Sequence, residues 1–515
     1  MSLAARVGRA IFWSQAGRLA EAAILFLFSL LLARVLGPSS YGLYALGMSL
    51  AGMLGFVTLL GLGPETLGRF LPELGVDGRS GRAARLLRSL LKIRVSAIIV
   101  TACALVAFRH SILTPFHFAP VLGWVAAILL VFAARSILDL LTHFSSGLLE
   151  LRRVAVAKFV AAIIPMTLFL GIWLSGRASA AAAWVAIAVG LLAGVLILGM
   201  PLLARGSEGR DEEPLPLRRI LAFGMFAWAT NFFIYVLGDS MDVLLLGWLT
   251  PDRAAIGRYA IGARVVLSIV ALLLGWASLV NVVSLSEAYQ RKGLEGLATV
   301  AEAQWKFVLL SVIPPLLFLL RYARPVIVMV FGAAYAGSVP VTQILCGLLL
   351  CAAVFGMSIH GGVLYALNRE RVACGVVGLA AVFNVVSEIL LVRRMGVVGG
   401  AWATGASFIL LAVLCLATSS RYAPLGVPAG FFLKIAASAG AGLLATAWLH
   451  PASAPVLAKT AVLYAGVFLA CLALLKPLSS SDSASLRRVN RVLGGCAERF
   501  FTTAYASATP AAGDR

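Results

Sequence analysis

Long runs of apolar residues alternate with short polar segments along almost the whole chain. About 14 of these runs approach 20 residues, the length that an α-helix needs to cross the hydrocarbon core of a bilayer. The runs are continuous stretches of Leu, Ala, Val and Ile, whereas the strands of a membrane β-barrel alternate apolar and polar residues. The pattern therefore predicts an all-α polytopic membrane protein with about 14 transmembrane helices.

The chain also repeats part of its own sequence. Residues 30–47 read LLLARVLGPSSYGLYALG, and residues 244–262 read LLLGWLTPDRAAIGRYAIG. A second pair follows at nearly the same offset, with GLLELRRVA at 147–155 and GVLYALNRERVA at 362–373. Two pairs in register indicate that a six-helix lobe is present twice. Repeated lobes in a transporter frame a central pathway that opens alternately to each side of the membrane.

The repeat defines the predicted organisation of the chain. Spans 1 to 6 form an N-terminal lobe over residues 1–205, and spans 7 to 12 form a C-terminal lobe over residues 220–420. A polar segment at 206–219 links the lobes, two additional spans occupy 421–477, and a Ser- and Ala-rich tail covers 478–515. The last two spans therefore lie outside the repeat.

Charge sets the predicted topology. The net charge is +21, with 61% hydrophobic residues, and in a soluble protein such a charge would suggest nucleic acid. Here Lys and Arg concentrate in the loops after even-numbered spans, such as Arg69, Lys92 and Arg94 after span 2. The positive-inside rule therefore explains them, and no nucleic-acid partner is expected. Both termini, and the linker and tail, are predicted to be cytoplasmic in a multi-pass membrane protein. Arg393 and Arg394 are the exception to the bias.

One cluster of positive charge has two interpretations. Arg79, Arg82, Arg85, Arg88 and Lys92 recur every three or four residues, which places them on one helical face. A surface helix that binds anionic membrane lipid has this pattern. A simple topology signal explains it equally well.

Motifs for cofactor chemistry are not found. The seven cysteines include no Cys-x-x-Cys pair, so neither a disulfide framework nor a zinc site is indicated. The sequence contains no Walker A motif, no His-Glu-x-x-His and no Gly-x-Ser-x-Gly. We therefore expect no cofactor, no metal, no ATP motor and no enzymatic activity in this chain.

Several basic residues lie inside predicted spans, where a charge needs a partner, a cavity or a function. Arg18 in span 1 could pair with Glu21 or contact an anionic substrate. Arg264 in span 8 has no acidic residue three or four positions away, so it either reaches the membrane interface or faces a cavity. Arg135 in span 4 could pair with Asp139 four residues on, and is the third candidate for substrate binding.

Acidic residues inside spans are candidates for ion coupling. Asp239 and Asp242 end span 7, where a helix cap and coupling to a cation or proton are equally good interpretations. Glu388 shares a face of span 11 with Asn384. A hydrogen bond between helices is the simpler explanation for that pair, and ion coupling is the functional one.

Four segments resemble bacterial polysaccharide and O-antigen flippases. RVLGPSSYGLYAL at 34–46 and GLGPETLGRFLPEL at 61–74 resemble the first-hairpin signature of that family, and MDVLLLGWL at 241–249 resembles its seventh span. FNVVSEILLVRRMGVVGGAWAT at 383–404 resembles its spans 11 and 12. The resemblance covers roughly residues 10–420 and extends to the wider multidrug/oligosaccharidyl-lipid/polysaccharide exporter superfamily, which also holds drug antiporters and the lipid II flippase.

The resemblance implies two six-helix lobes around a V-shaped cavity. It also implies a location in the bacterial inner membrane and a cargo of undecaprenyl-diphosphate-linked oligosaccharide. The cargo would be moved to the periplasmic leaflet by alternating access for cell-surface polysaccharide such as lipopolysaccharide, with other polysaccharide-assembly proteins as expected partners. The lipid II branch is similar in placing cavity arginines on spans 1 and 8, where Arg18 and Arg264 lie. Two alternatives stay open, a drug or cation antiporter and a membrane-embedded enzyme of glycan assembly.

Overall fold

The fold is helical throughout the described residues. The computed structural model describes residues 3–73, 81–148, 150–203, 217–274, 277–356, 359–478 and 501–502. The helices in the first half are α1 (Leu3–Val57), α2 (Pro64–Glu73), α3 (Gly81–Ala107), α4 (Arg109–Leu113), α5 (Leu122–Gly147), α6 (Leu151–Leu174), α7 (Ala180–Leu203) and α8 (Leu217–Val236). They are followed by α9 (Asp239–Leu249), α10 (Arg253–Leu274), α11 (Ala277–Phe331), α12 (Val339–Val354), α13 (Ile359–Ala366), α14 (Glu370–Met395), α15 (Val397–Ser419), α16 (Ala429–Thr446) and α17 (Ala454–Leu475).

The helices confirm a multi-pass membrane protein. Within the described ranges, 13 segments are long and apolar enough to cross a bilayer. The first of these, Ala20–Val57, contains predicted spans 1 and 2, because Gly37 adopts a non-helical conformation (φ 70°) that separates two helices. Predicted span 7 is likewise divided into α8 and α9 by an extended Gly238.

The chain forms two compact units. Unit 1 comprises residues 1–265, 330–341 and 377–407, and unit 2 comprises the remainder. In unit 1, α5, α6 and α7 pack against one another and against α1, and Leu87, Leu141 and Phe144 are fully buried in its core. In unit 2, Trp305 and Phe468 belong to a core that includes the paired helices α16 and α17. The lobe boundaries inferred from the repeat stay a prediction.

Two glycines of the repeated motif bring α1 and α10 into backbone contact within unit 1. A Cβ atom on Gly42 would lie 1.9 Å from the carbonyl oxygen of Arg253. A Cβ atom on Gly257 would lie 2.1 Å from the carbonyl oxygen of Pro38. Neither position therefore accepts a side chain without moving a helix. Gly42 and Gly257 occupy the same place in the repeated motif, so the two copies of the motif pack on each other.

Candidate functional site

Unit 1 contains a cavity of about 450 Å³ between α1, α5, α6, α7, α9 and α10. Polar and apolar groups contribute about equally to its wall, and the polar groups include serine and threonine hydroxyls on α1, α5 and α9. Six charged side chains also line it: Glu21, Arg135, Asp139, Lys158, Asp239 and Arg264. Charge at this depth is expensive in a membrane protein unless it faces a wet cavity or a partner. The cavity is therefore the first candidate for a substrate site.

Two of the three cations in the wall already have a carboxylate partner. Lys158 Nζ on α6 lies 3.2 Å from Glu21 Oε2 on α1. Arg135 Nε and Asp139 Oδ2, one turn apart on α5, lie 4.0 Å from each other. About half of each side chain in that second pair is exposed to the cavity. At 4.0 Å the pair lies at the limit of an ion pair, so Arg135 has hydrogen-bonding capacity left for a ligand.

Arg264 differs from the other two cations. It lies half-buried on α10, and no carboxylate among the described residues comes within ion-pair distance of its guanidinium. Asp239 and the Tyr41 and Tyr44 hydroxyl groups are its electrostatic neighbours. The structure thus directs a guanidinium without an ion-pair partner into the cavity.

Only the backbone of Arg18 belongs to the described part of the structure. The backbone places it on α1, one turn before Glu21, but its side chain falls outside the described residues. Glu21 pairs with Lys158, so the acid that could have satisfied Arg18 has another partner. A shared cavity for Arg18 and Arg264 stays a prediction.

A second polar site lies on the buried side of α9. Asp242 is fully buried, and its Oδ2 accepts a hydrogen bond of 2.7 Å from the hydroxyl of Tyr259 on α10. The hydroxyl of Thr404 on α15 lies 2.9 Å from the same oxygen and 3.0 Å from the Gly400 carbonyl oxygen. Because a threonine hydroxyl has one proton, it can donate to only one of these acceptors at a time.

Glu388 completes this site from α14. It is fully buried, and neither of its carboxylate oxygens has a hydrogen-bond partner among the described residues. Its carboxyl group and that of Asp242 act on each other electrostatically. Asn384, one turn earlier on α14, is also buried with its amide oxygen and nitrogen unpartnered in the described structure.

Two buried carboxylates side by side repel each other strongly unless a proton or a cation lies between them. The oxygen atoms that lack a donor in the described structure are Asp242 Oδ1, Glu388 Oε1 and Oε2, and Asn384 Oδ1. Oxygen-rich groups of this kind suit a proton or a hard metal cation. The simpler expectation of a hydrogen bond from Asn384 to another helix is not met by any described residue.

The predicted acidic residues therefore separate into two groups. Asp239, the first residue of α9, lines the cavity beside Arg264. Asp242, one turn later, points into the buried site with Glu388. The extended Gly238 starts α9 at this point, and an acidic residue in the first turn of a helix is favoured by the helix dipole.

Three residues of these sites were not among the sequence candidates. Lys158 could have been found as a lone lysine within an apolar span. Tyr259 belongs to the repeated Gly-x-Tyr-Ala segment, and Thr404 ends the Gly-Ala-Trp-Ala-Thr segment. Both motifs were recognised as signatures, but their contacts with Asp242 join distant parts of the chain and only the fold reveals them.

Comparison with known proteins identifies the family of this chain. The model of the family described as polysaccharide biosynthesis protein matches residues 7–284, more than half of the chain. The chain belongs to this family. No curated protein sequence matches it with significance.

Solved structures of other proteins share the fold of this chain. The lipid II flippase MurJ in an inward closed conformation is similar with a TM-score of 0.68 and 15% identity, covering 93% of this chain and 99% of its own. A multidrug resistance MATE family transporter of the MOP superfamily, in an inward-facing conformation, has a TM-score of 0.63 at 15% identity, covering 79% and 98%. A MOP superfamily transporter from Pyrococcus furiosus, described by a reverse polarity of its binding pocket, has a TM-score of 0.57 at 15% identity, covering 80% and 95%. The fold is thus that of the MOP superfamily, as the sequence predicted.

Proposed function

We propose that this protein is a flippase for undecaprenyl-diphosphate-linked oligosaccharide. It moves the lipid-linked glycan from the cytoplasmic to the periplasmic leaflet by alternating access, for cell-surface polysaccharide synthesis. Family membership and the MOP-type fold support transport of this general class. The observation that carries the choice of substrate is Arg264 in the cavity wall without an ion-pair partner among the described residues.

A diphosphate matches the chemistry of this wall. Guanidinium groups present parallel N–H donors that bind phosphate oxygens in a bidentate manner. Arg264 supplies such a group on α10, and Arg135 supplies a second, weakly paired one on α5. A cavity of about 450 Å³ is the size of typical small-ligand pockets. It suits the diphosphate and the first sugars, while the polyprenyl tail stays in the surrounding lipid.

The charge pattern favours an anion over a cationic drug. The described residues of the cavity wall include three cations and three acids. The total charge alone therefore does not decide between an anionic and a cationic substrate. Glu21 and Asp139 already have cationic partners, whereas Arg264 does not have a paired acid. A cation entering the cavity would have to displace Lys158 or Arg135, or bind Asp239 against the repulsion of the neighbouring Arg264. A phosphate binds Arg264 directly.

Ion coupling is the second part of the proposal. Asp242 and Glu388 bind a proton or a monovalent cation between their carboxyl groups, with Thr404 and Tyr259 as hydroxyl partners. Loss of the ion leaves two like charges buried together, which destabilises that arrangement of α9, α14 and α15. Binding and release of the ion thereby favour different helix arrangements, as a coupled transporter requires. Asp239, in the cavity, is the third coupling candidate.

The test is reconstituted transport. Proteoliposomes containing the purified protein and a fluorescent lipid-linked oligosaccharide should flip it with an ion or substrate gradient and without nucleotide. The assay measures how much fluorophore a membrane-impermeant quencher can reach. A strict requirement for ATP would contradict the proposal, and so would uptake of a lipophilic cation without glycan movement.

Arg264 provides the matched variants. Arg264→Ala should reduce flipping at least tenfold at normal protein levels, since a hydrogen bond to a charged group contributes about 1.5–3 kcal/mol. Arg264→Lys should recover only part of the activity, because the bidentate geometry is lost. Arg253→Lys makes the same change at the start of the same helix, outside the cavity wall, and should leave flipping unchanged. Wild-type flipping by Arg264→Ala would exclude this residue from substrate binding.

A further inference from the structure

A buried guanidinium lies directly behind the cavity wall. Arg94 on α3 is 1% exposed, one of the largest fully buried side chains in the described structure. Its Nε donates to the carbonyl oxygen of Ser136 on α5 at 3.2 Å, and its Nη2 donates to the carbonyl oxygen of Gly55 on α1 at 3.2 Å. The sequence placed this residue among the loop charges that set topology, and the structure instead buries it between three helices.

The hydrogen bonds of Arg94 leave its charge without a counter-ion in direct contact. Its Nη1 has no hydrogen-bond partner among the described residues. A buried charge is strongly destabilising unless another charge or several hydrogen bonds compensate for it. The nearest acid that acts on it electrostatically is Asp139.

Helix geometry explains why Asp139 can interact with both Arg135 and Arg94. Asp139 follows Ser136, whose carbonyl Arg94 contacts, by three residues, so both lie on neighbouring parts of one helical face. Asp139 also follows Arg135 by one turn, and the 4.0 Å separation of that pair is long for an ion pair. The Asp139 carboxylate therefore pairs loosely with the cation in the cavity and acts electrostatically on the cation behind the wall.

We propose that Arg94 is a positioning residue that shares the Asp139 carboxylate with Arg135 and so leaves Arg135 available to the phosphate of the substrate. Without Arg94, Asp139 closes onto Arg135 and competes with the phosphate for its N–H donors. This inference rests on the proposed function, because it assigns Arg135 to the diphosphate. It adds a determinant of affinity that does not touch the substrate.

The experiment measures binding of farnesyl diphosphate, a short isoprenyl diphosphate, to the purified full-length protein in nanodiscs. Arg94→Gln removes the charge but keeps an amide donor for the wall carbonyls, and should weaken binding about tenfold. Arg94→Lys keeps the charge and should bind within about twofold of wild type. Arg88→Gln removes an exposed charge from the same helix and serves as the control, with unchanged affinity expected.

Double variants distinguish this role of Arg94 from a purely structural one, because only the proposed role depends on Asp139 and Arg135. In an Asp139→Asn background, Arg94→Gln should cost less than about twofold, because no carboxylate remains to compete for Arg135. In an Arg135→Ala background it should likewise have no further effect. Equal losses from Arg94→Gln in all three backgrounds, or equal losses from Gln and Lys at position 94, would overturn the proposal.

Two outcomes distinguish a failure of the role proposed for Arg94 from a failure of the flippase assignment. If wild type does not bind farnesyl diphosphate, the flippase assignment itself fails. If wild type binds and the coupling is absent, only the role of Arg94 fails. Should no variant at position 94 fold, Asp139→Asn on the native background decides, since we expect at least wild-type affinity and weaker binding would contradict the proposal.

Discussion

The backbone contact between Gly42 and Gly257 makes a quantitative prediction about stability. In Gly257→Ala the new methyl group would lie 2.1 Å from the Pro38 carbonyl oxygen and 2.9 Å from the Gly42 nitrogen. Ordinary van der Waals contact begins near 3.4 Å, so α1 and α10 must separate by roughly 1.3 Å. Overpacking of this kind costs about 1–3 kcal/mol. Alanine recovers about 0.5–1 kcal/mol through its better helix propensity, which leaves a net loss of up to about 2.5 kcal/mol.

The assay is thermal unfolding of the purified protein in detergent, followed by intrinsic tryptophan fluorescence. Gly42→Ala and Gly257→Ala should both lower the apparent melting temperature. Gly171→Ala is the matched control, because a Cβ atom there meets nothing within 4 Å. It should melt at or slightly above the wild-type temperature.

The double variant tests the reasoning most directly. Both substitutions separate the same pair of helices, so the second should cost less than the first, as expected for positions in contact. Wild-type melting of either single variant, or full additivity in the double variant, would refute the tight contact between α1 and α10.

Two further predictions concern coupling and topology. Asp242→Asn and Glu388→Gln should each lose transport driven by an ion gradient while still binding substrate. Flipping and binding are measured in the same nanodisc or liposome preparation. Normal gradient-driven transport by these variants and by Asp239→Asn would assign all three acids to helix capping and packing. Reporter fusions after residues 80, 210 and 478 should all report the cytoplasm, and a periplasmic signal at 210 would overturn the lobe assignment.

Much of the fold follows from the sequence because few backbone structures can cross a bilayer. Runs of about 20 apolar residues can cross it only as helices, and the described structure has 13 such segments. The Gly-Pro pair at residues 37–38 predicted a turn between spans 1 and 2, and Gly37 separates two helices there. The glycines at which α1 and α10 meet lie in the repeated motif, but the sequence did not predict their contact.

The sites were harder to predict than the fold. Charges inside spans pointed to Arg135, Arg264 and Asp242, since each needs a partner or a cavity. Their partners come from other helices, however, and a helical periodicity argument compares only residues on one helix. A pair between Glu21 and its sequence neighbour Arg18 was accordingly one of the two interpretations, whereas the structure joins Glu21 to Lys158 on α6. Arg94 was counted among the charges of the basic loop after span 2.

The reciprocity of the glycine contact has an evolutionary consequence. Gly42 faces Arg253, which lies four residues before Gly257, and Gly257 faces Pro38, which lies four residues before Gly42. The repeat aligns Gly42 with Gly257. A contact in which residue i meets j while j meets i is the signature of a two-fold symmetric dimer interface. The simplest ancestor is thus a half-length chain that formed a homodimer through this glycine before the two genes fused. Fusion then allowed the halves to diverge, so that Arg264 and its counterpart Ser49 now give one cavity wall a charge and the other a hydroxyl group.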